Sequence, residues 1–255
     1  MNILVTNDDG VFAEGLLALK TELDKIGNVF VVAPDRPRSA CGHSITLHKP
    51  LRAEKVVLED GSAAYASNGT PSDCVTLAIL GIFQEPIDLV VSGINHGPNL
   101  GWDLTYSGTV SAAMEGAILG VASFAISVAG IEPKIDYTAA ARFAVDLALL
   151  IDNHKLPESA LLNVNVPPVA ASDINGVQVT RQGKRRYVGQ LDKRTDPTGR
   201  DYYWLGGDLP EDDLKEGTDV KAVADGYISV TPVHLDLTDE ASIEAIRAWG
   251  VEQID

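Results

Sequence analysis

Two adjacent carboxylates mark where this chain could do chemistry. It begins MNILVTNDDG, an apolar run that stops at Asp8, Asp9 and Gly10. Successive strand side chains point to opposite faces, so the two aspartates converge only where the strand has ended and the backbone bends, and Gly10 permits that bend. Carboxylates this close repel unless a proton or a cation lies between them. Two further loops follow apolar strand patterns, DRPRSACGHS at 35–44 and SGINHGPNLGWDLTYSGT at 92–109. In open α/β sheets ligands bind beyond the carboxyl ends of the strands, so all three loops belong on one rim. Together they offer Asp8, Asp9, Ser39 and Asn95, an all-oxygen set that favours magnesium, manganese or calcium over zinc.

The third loop enters a helix at YSGTVSAAMEG. Small residues at a helix start leave backbone N–H groups free to face an anion, and the helix dipole favours negative charge there. Ser107, Gly108 and Thr109 are therefore the candidate phosphate cradle, with Asn95 as a further phosphate-binding residue. His43 and His96 also fall in rim loops, where either could protonate a leaving group. Ser39 has a rival role as a covalent nucleophile, but no base at a telling spacing accompanies it.

The elements that must position these residues read as alternating strands and helices over the first 165 residues or so. Apolar strands are expected at 2–6, 28–34, 87–93, 122–130 and 160–167, with helices at 12–27, 70–83, 107–120 and 137–152. Thr70, Pro71 and Asp73 spell an N-cap, a first-turn proline and a capping box. Buried strands alternating with helices imply a Rossmann-like, mostly parallel α/β sheet with helices on both faces. A hairpin signal interrupts it around Asp60-Gly61. From about residue 176 the character changes to a charged hairpin with its tip at Asp196–Gly199, an acidic loop at 208–219, a returning strand and a terminal helix after Thr238. We thus expect an α/β core over 1–170 and a C-terminal extension over 171–255.

Composition bounds the partners. The 36 acidic residues against 20 basic give a net charge of -16, so most of the surface repels a long nucleic acid. Seven of the basic residues (Arg181, Lys184, Arg185, Arg186, Lys193, Arg194 and Arg200) crowd into 181–200, positioned to reach a neighbouring subunit or overhang the phosphate site. No apolar run reaches membrane-spanning length and no signal segment precedes the first strand; Cys41 and Cys74 read as reduced thiols. A cytoplasmic location is the expectation.

The blocks ILVTNDDG, VVAPDRPRSACGHSIT, NGTPSDCV, DLVVSGINHGPNLG and YSGTVSAAMEG resemble, in order, the signature of the SurE family, survival-protein E metal-dependent nucleotidases. The later GKRRY and TDPTGRDYYWLGG also fit it. The resemblance implies hydrolysis of nucleoside 5'-monophosphates, and often 3'-monophosphates, with one divalent cation per subunit held by Asp8, Asp9, Ser39 and Asn95. It also implies homodimers or homotetramers paired through the C-terminal extension. In that mechanism the cation polarises the phosphoryl oxygen and acidifies a water, and one of Asp8 and Asp9, with Asp9 preferred, takes the water's proton. The alternative is a non-catalytic nucleotide-binding or receiver-like regulator. A receiver needs a phosphoacceptor aspartate at the end of a later strand, and DLVVSGIN ends in Gly-Ile-Asn.

Overall fold

The computed structural model describes residues 1–157, 160–186, 189–207, 211–212 and 214–254. The chain runs β1 (Asn2–Thr6), α1 (Glu14–Leu23), β2 (Asn28–Pro34), β3 (Ala53–Val57), β4 (Ala63–Ser67), α2 (Pro71–Leu77), β5 (Leu89–His96), α3 (Gly108–Ile118), β6 (Ala122–Val128), α4 (Thr138–His154) and β7 (Ala160–Val166). Then follow β8 (Val177–Val179), β9 (Arg185–Arg186), β10 (Gly189–Thr195), β11 (Asp201–Gly207), β12 (Glu211–Asp212), α5 (Asp219–Ala224), β13 (Ile228–His234) and α6 (Glu240–Arg247). Local chemistry sets several of these limits. The Thr70 hydroxyl accepts the Asp73 N–H at 3.1 Å while the Asp73 carboxylate accepts the Thr70 N–H at 2.8 Å, closing the expected capping box at the start of α2.

Among the described residues, nine strands form one sheet in the order β3-β4-β2-β1-β5-β6-β7-β13-β8. From β4 through β7 neighbouring strands are parallel, whereas the outer β3 and the β7–β13 pair are antiparallel. Parallel strands need both faces covered, and β1 shows it: Ile3 and Val5 pack with α1 and α4 residues, Leu4 with α2 and α3 residues on the other side. The order reverses at β1, which has β2 on one side and β5 on the other. A crevice therefore opens beyond the carboxyl end of β1.

The α/β architecture matches the expectation, with two differences. The division at residue 170 falls inside one continuous sheet, because β13 and β8 extend it past β7. Strand β5 also runs three residues beyond Gly93, where its sequence pattern suggested a stop. Gly93 has φ +143, and a Cβ there would lie 2.3 Å from the Ile126 carbonyl oxygen, so this glycine serves a close approach to β6 and ends nothing. The β5–β6 register shifts between Ser92 and Asn95, which re-aims the end of the strand.

In the extension, β10 and β11 pair as a separate two-stranded ribbon. Its tip closes as expected, with the Asp196 N–H donating to the Arg200 carbonyl at 2.9 Å. The acidic loop at 208–219 lies partly outside the described residues, as does Tyr187 of GKRRY.

Candidate active site

The turn after β1 is held by its own asparagine. The Asn7 amide donates to the Gly10 carbonyl at 3.0 Å and its Oδ1 accepts the Gly10 N–H at 3.1 Å. Gly10 has φ +107, a left-handed value that β-carbon-bearing residues rarely adopt. Asp8 is only 5% exposed and lies against the start of α3, where the Thr109 hydroxyl donates to Asp8 Oδ1 at 2.5 Å. Gly108 is what allows this approach, since a Cβ there would sit 2.8 Å from Asp8 Cβ. Burial pushes the Asp8 carboxyl up to about 6, against the Thr109 hydroxyl that favours its charge and with the charge of Asp9 adding to the rise. Asp9 is raised by burial too, opposed by the His96 N–H that it accepts at 3.1 Å.

Ser39 comes from the irregular loop after β2, so its position depends on tethers. The Arg38 N–H donates to the Asp8 carbonyl at 2.7 Å, and the Gly42 N–H to the Tyr106 carbonyl at 3.0 Å. Farther along, His43 Nε2 lies 2.8 Å from Glu115 Oε2, and the Thr46 hydroxyl donates to Asp73 at 2.6 Å. Asn95 is on the extended end of β5. Its Nδ2 donates to the Gly97 carbonyl at 2.9 Å, which leaves Oδ1 as the outward acceptor.

These residues share one cavity of about 410 Å³, lined by Asp8, Asp9, Ser39, Asn95, His96 and Ser107 together with Ala40, Gly97, Pro98, Asn99, Asp103 and Tyr106. Of the candidate phosphate cradle, Ser107 faces the cavity; its hydroxyl caps α3 by accepting the Val110 N–H at 3.1 Å. Gly108 and Thr109 stand behind it, in contact with Asp8. The two histidines part ways. His96 lines the cavity with Nδ1 3.2 Å from the Tyr137 hydroxyl, whereas His43 is tied to Glu115 outside it.

Asn99 and Asp219 hold the site in ways that were not read from the sequence. Asn99 is clamped by its neighbours: its carbonyl accepts the Asn163 and Asn165 amides, each at 2.9 Å, and its own amide donates to Ser127 at 2.8 Å. Asp219, fully buried, accepts the N–H groups of Gly101 at 2.8 Å and Gly183 at 2.7 Å, locking the third rim loop to the extension. Arg185 lies 3.6 Å from Asp103, so the basic run does reach the cavity rim. A repeating asparagine pattern (Asn163, Asn165) inside an apolar strand was the one available hint.

Among the described residues no three His, Cys, Asp or Glu side chains gather as a metal cluster. The donors that do converge are two carboxylates, a hydroxyl and an amide carbonyl. That set lacks the thiolate or imidazole that zinc prefers and fits a hard cation that keeps part of its water shell.

The sequence profile of the family described as Survival protein SurE matches residues 3–189. This chain belongs to the SurE family. Named relatives agree along its whole length: "5'-nucleotidase SurE" of Geobacter sulfurreducens is 50% identical over 98% of this chain and 94% of the relative. The protein of the same name from Chloroflexus aggregans is 51% identical over 99% of this chain and 100% of its own. The crystal structure of the SurE protein from Aquifex aeolicus superposes with TM-score 0.84 at 44% identity, covering 98% of this chain and 100% of that one. In this SurE-family chain the profile's span takes in every rim residue named above and stops where β10 begins.

Proposed function

We propose that this chain is a divalent-metal-dependent phosphomonoesterase that releases phosphate from nucleoside 5'-monophosphates and, secondarily, 3'-monophosphates. One observation carries the reading: Asp8, Asp9, Ser39 and Asn95, from two loops and the end of β5, line the same cavity as the N-cap of α3. A single magnesium or manganese ion per subunit would be held by those four residues, and when bound it supplies Lewis-acid polarisation of a phosphoryl oxygen and a water acidified toward neutrality.

The chain's own residues do the rest. A buried and a half-buried carboxylate, both with raised affinity for protons, are costly when both are charged, and that cost selects for a cation at this spot. Thr109 holds Asp8 through its hydroxyl, and the His96 N–H holds one oxygen of Asp9, so both carboxylates are oriented before substrate arrives. Asp9, the more exposed of the pair, accepts the proton of the attacking water. Ser107 and the first turn of α3 face the phosphate with the positive end of the helix.

Self-association is part of the proposal. A two-stranded hairpin alone is marginal in water, and the β10–β11 ribbon exposes Leu191, Tyr203 and Trp204 at 64%, 56% and 61%. A second copy would cover them in a homodimer or homotetramer. Replacing residues 191–205 by a two-residue turn should lower the number of chains per particle in solution; an unchanged number would refute that assembly role. No helix among the described residues is long and apolar enough to cross a membrane. A cytoplasmic location belongs to the proposal and rests on the sequence reading alone.

The deciding assay is phosphate release from AMP and 3'-AMP with added manganese, before and after chelation. Release that disappears with chelator and returns with manganese is the expected result. Release that ignores the chelator overturns the metal-centred reading.

A further inference from the structure

The cavity lining is of two chemical kinds: Asp8, Asp9, Ser39 and Asn95 present oxygens, whereas Ala40, Pro98 and Tyr106 present apolar surface. The geometry points to Tyr106 as the platform on which the nucleobase of the substrate stacks, an inference that rests on the nucleotidase reading above. Tyr106 contributes the one benzenoid ring among the lining residues, yet it is 64% exposed. Its hydroxyl makes no hydrogen bond among the described residues.

An exposed aromatic by itself is ordinary. What singles out Tyr106 is that its main chain is clamped while its ring is left uncovered. Its N–H donates to the Asp103 carbonyl at 3.0 Å, and its carbonyl accepts the Gly42 N–H at 3.0 Å. The ring is thus carried on a backbone fixed at both ends, and little ordering is needed when a flat ligand covers it.

Tyr106 is also next to the chemistry in the chain. It directly precedes Ser107 and Gly108 at the start of α3, where a Cβ on Gly108 would come within 2.8 Å of Asp8, and it lines the same cavity as Asp8. A nucleoside monophosphate with its phosphate at the α3 start could thus bring its base onto the ring. Stacking is tolerant of base identity, because every base presents a π-face. The platform therefore selects nucleotides over other phosphate esters without choosing strongly among bases.

The test compares Tyr106→Ala and Tyr106→Phe with the unaltered chain, using AMP and the base-free ester ribose 5-phosphate with manganese. Aromatic stacking in nucleic-acid sites corresponds to roughly 5- to 150-fold on alanine substitution. The expected result is a kcat/KM for AMP that falls about tenfold or more in Tyr106→Ala, through KM, while ribose 5-phosphate changes less than about twofold. Tyr106→Phe should stay within about twofold on both, because the ring and not the hydroxyl does the binding. An equal loss on both esters, or no loss on AMP, overturns the platform while the unaltered enzyme still cleaves AMP. An unaltered chain that releases no phosphate from AMP overturns the nucleotidase reading, and the platform with it.

Discussion

The rim of the sheet and the β10–β11 ribbon are built on opposite terms. At the rim, Asp8, Asn99 and Asp219 are buried and held by partners far away in sequence. The Gly101 N–H and Asp219 are 118 residues apart, Thr109 and Asp8 are 101. On the ribbon, charges pair with near neighbours in water: Lys193 with Asp201 at 2.6 Å and Arg194 with Asp192 at 2.7 Å. Exposed pairs of that kind contribute about 0–1 kcal/mol, whereas a buried hydrogen bond to a charged group contributes about 1.5–3 kcal/mol. The lesson is that the site's geometry is maintained by long-range burial, while the ribbon is free to serve a surface outside its own chain.

The harshest way to break the rim is at its charge. Asp9→Ala should cut manganese-supported phosphate release by about 10³-fold or more, read as kcat/KM on AMP. Full activity at saturating manganese would sink the mechanism. Next, Asp219→Ala strands buried N–H groups of Gly101 and Gly183 and should destabilise the chain by about 3 kcal/mol or more, read by urea unfolding.

A third test uses pH on the metal-free protein. The Asp8 carboxyl is raised from 3.8 to about 6 in the folded state, so between those values the folded form binds more protons than the unfolded one. Stability from this group is therefore present at low pH and lost as pH rises through about 6, by about 3 kcal/mol in all. Asp8→Asn should remove that slope and leave the metal-free protein more stable than the parent at pH 7.5, though inactive. Equal pH slopes in parent and variant would contradict the burial argument.

A smaller effect is expected at the tether of the second loop. His43→Ala should weaken manganese binding about fivefold by calorimetry and leave kcat at saturating metal nearly unchanged, because His43 holds the loop that carries Ser39 and does not line the cavity. On the ribbon, Lys193→Ala should shift unfolding by less than about 0.5 kcal/mol. That contrast with Asp219→Ala is the sharpest statement of the difference between the two regions.

Much of the rim was legible in the sequence because strand ends announce themselves locally. An apolar run that stops at Asp8-Asp9-Gly10, and another followed by the 35–44 loop, need no knowledge of the rest of the chain. The α2 capping box spans four residues, Thr70 to Asp73, and was readable for the same reason. What lay hidden depends on distance. Asp219 sits in a short helix with no motif, and only the folded chain brings it to Gly101. Gly93 misled for a physical reason: a glycine within an apolar run reads as a stop, and here it is the place where two backbones touch. Thr109 was placed in the phosphate cradle by its position at the start of α3; that its hydroxyl also holds Asp8 could not be read, because the two are 101 residues apart in the chain.

The margins of the nine-stranded sheet have a consequence for solubility. On one side the outermost strand, β3, carries Glu54 and Lys55, whose charges disfavour stacking against another chain. On the other, β8 spans three residues, and Pro232 comes two positions after Val230, the last β13 residue that β8 pairs with, so a longer strand meets a position without an N–H. Both flanks of the sheet are thereby protected from adding strands of other molecules, and this resistance to fibre-like growth is independent of the catalytic rim.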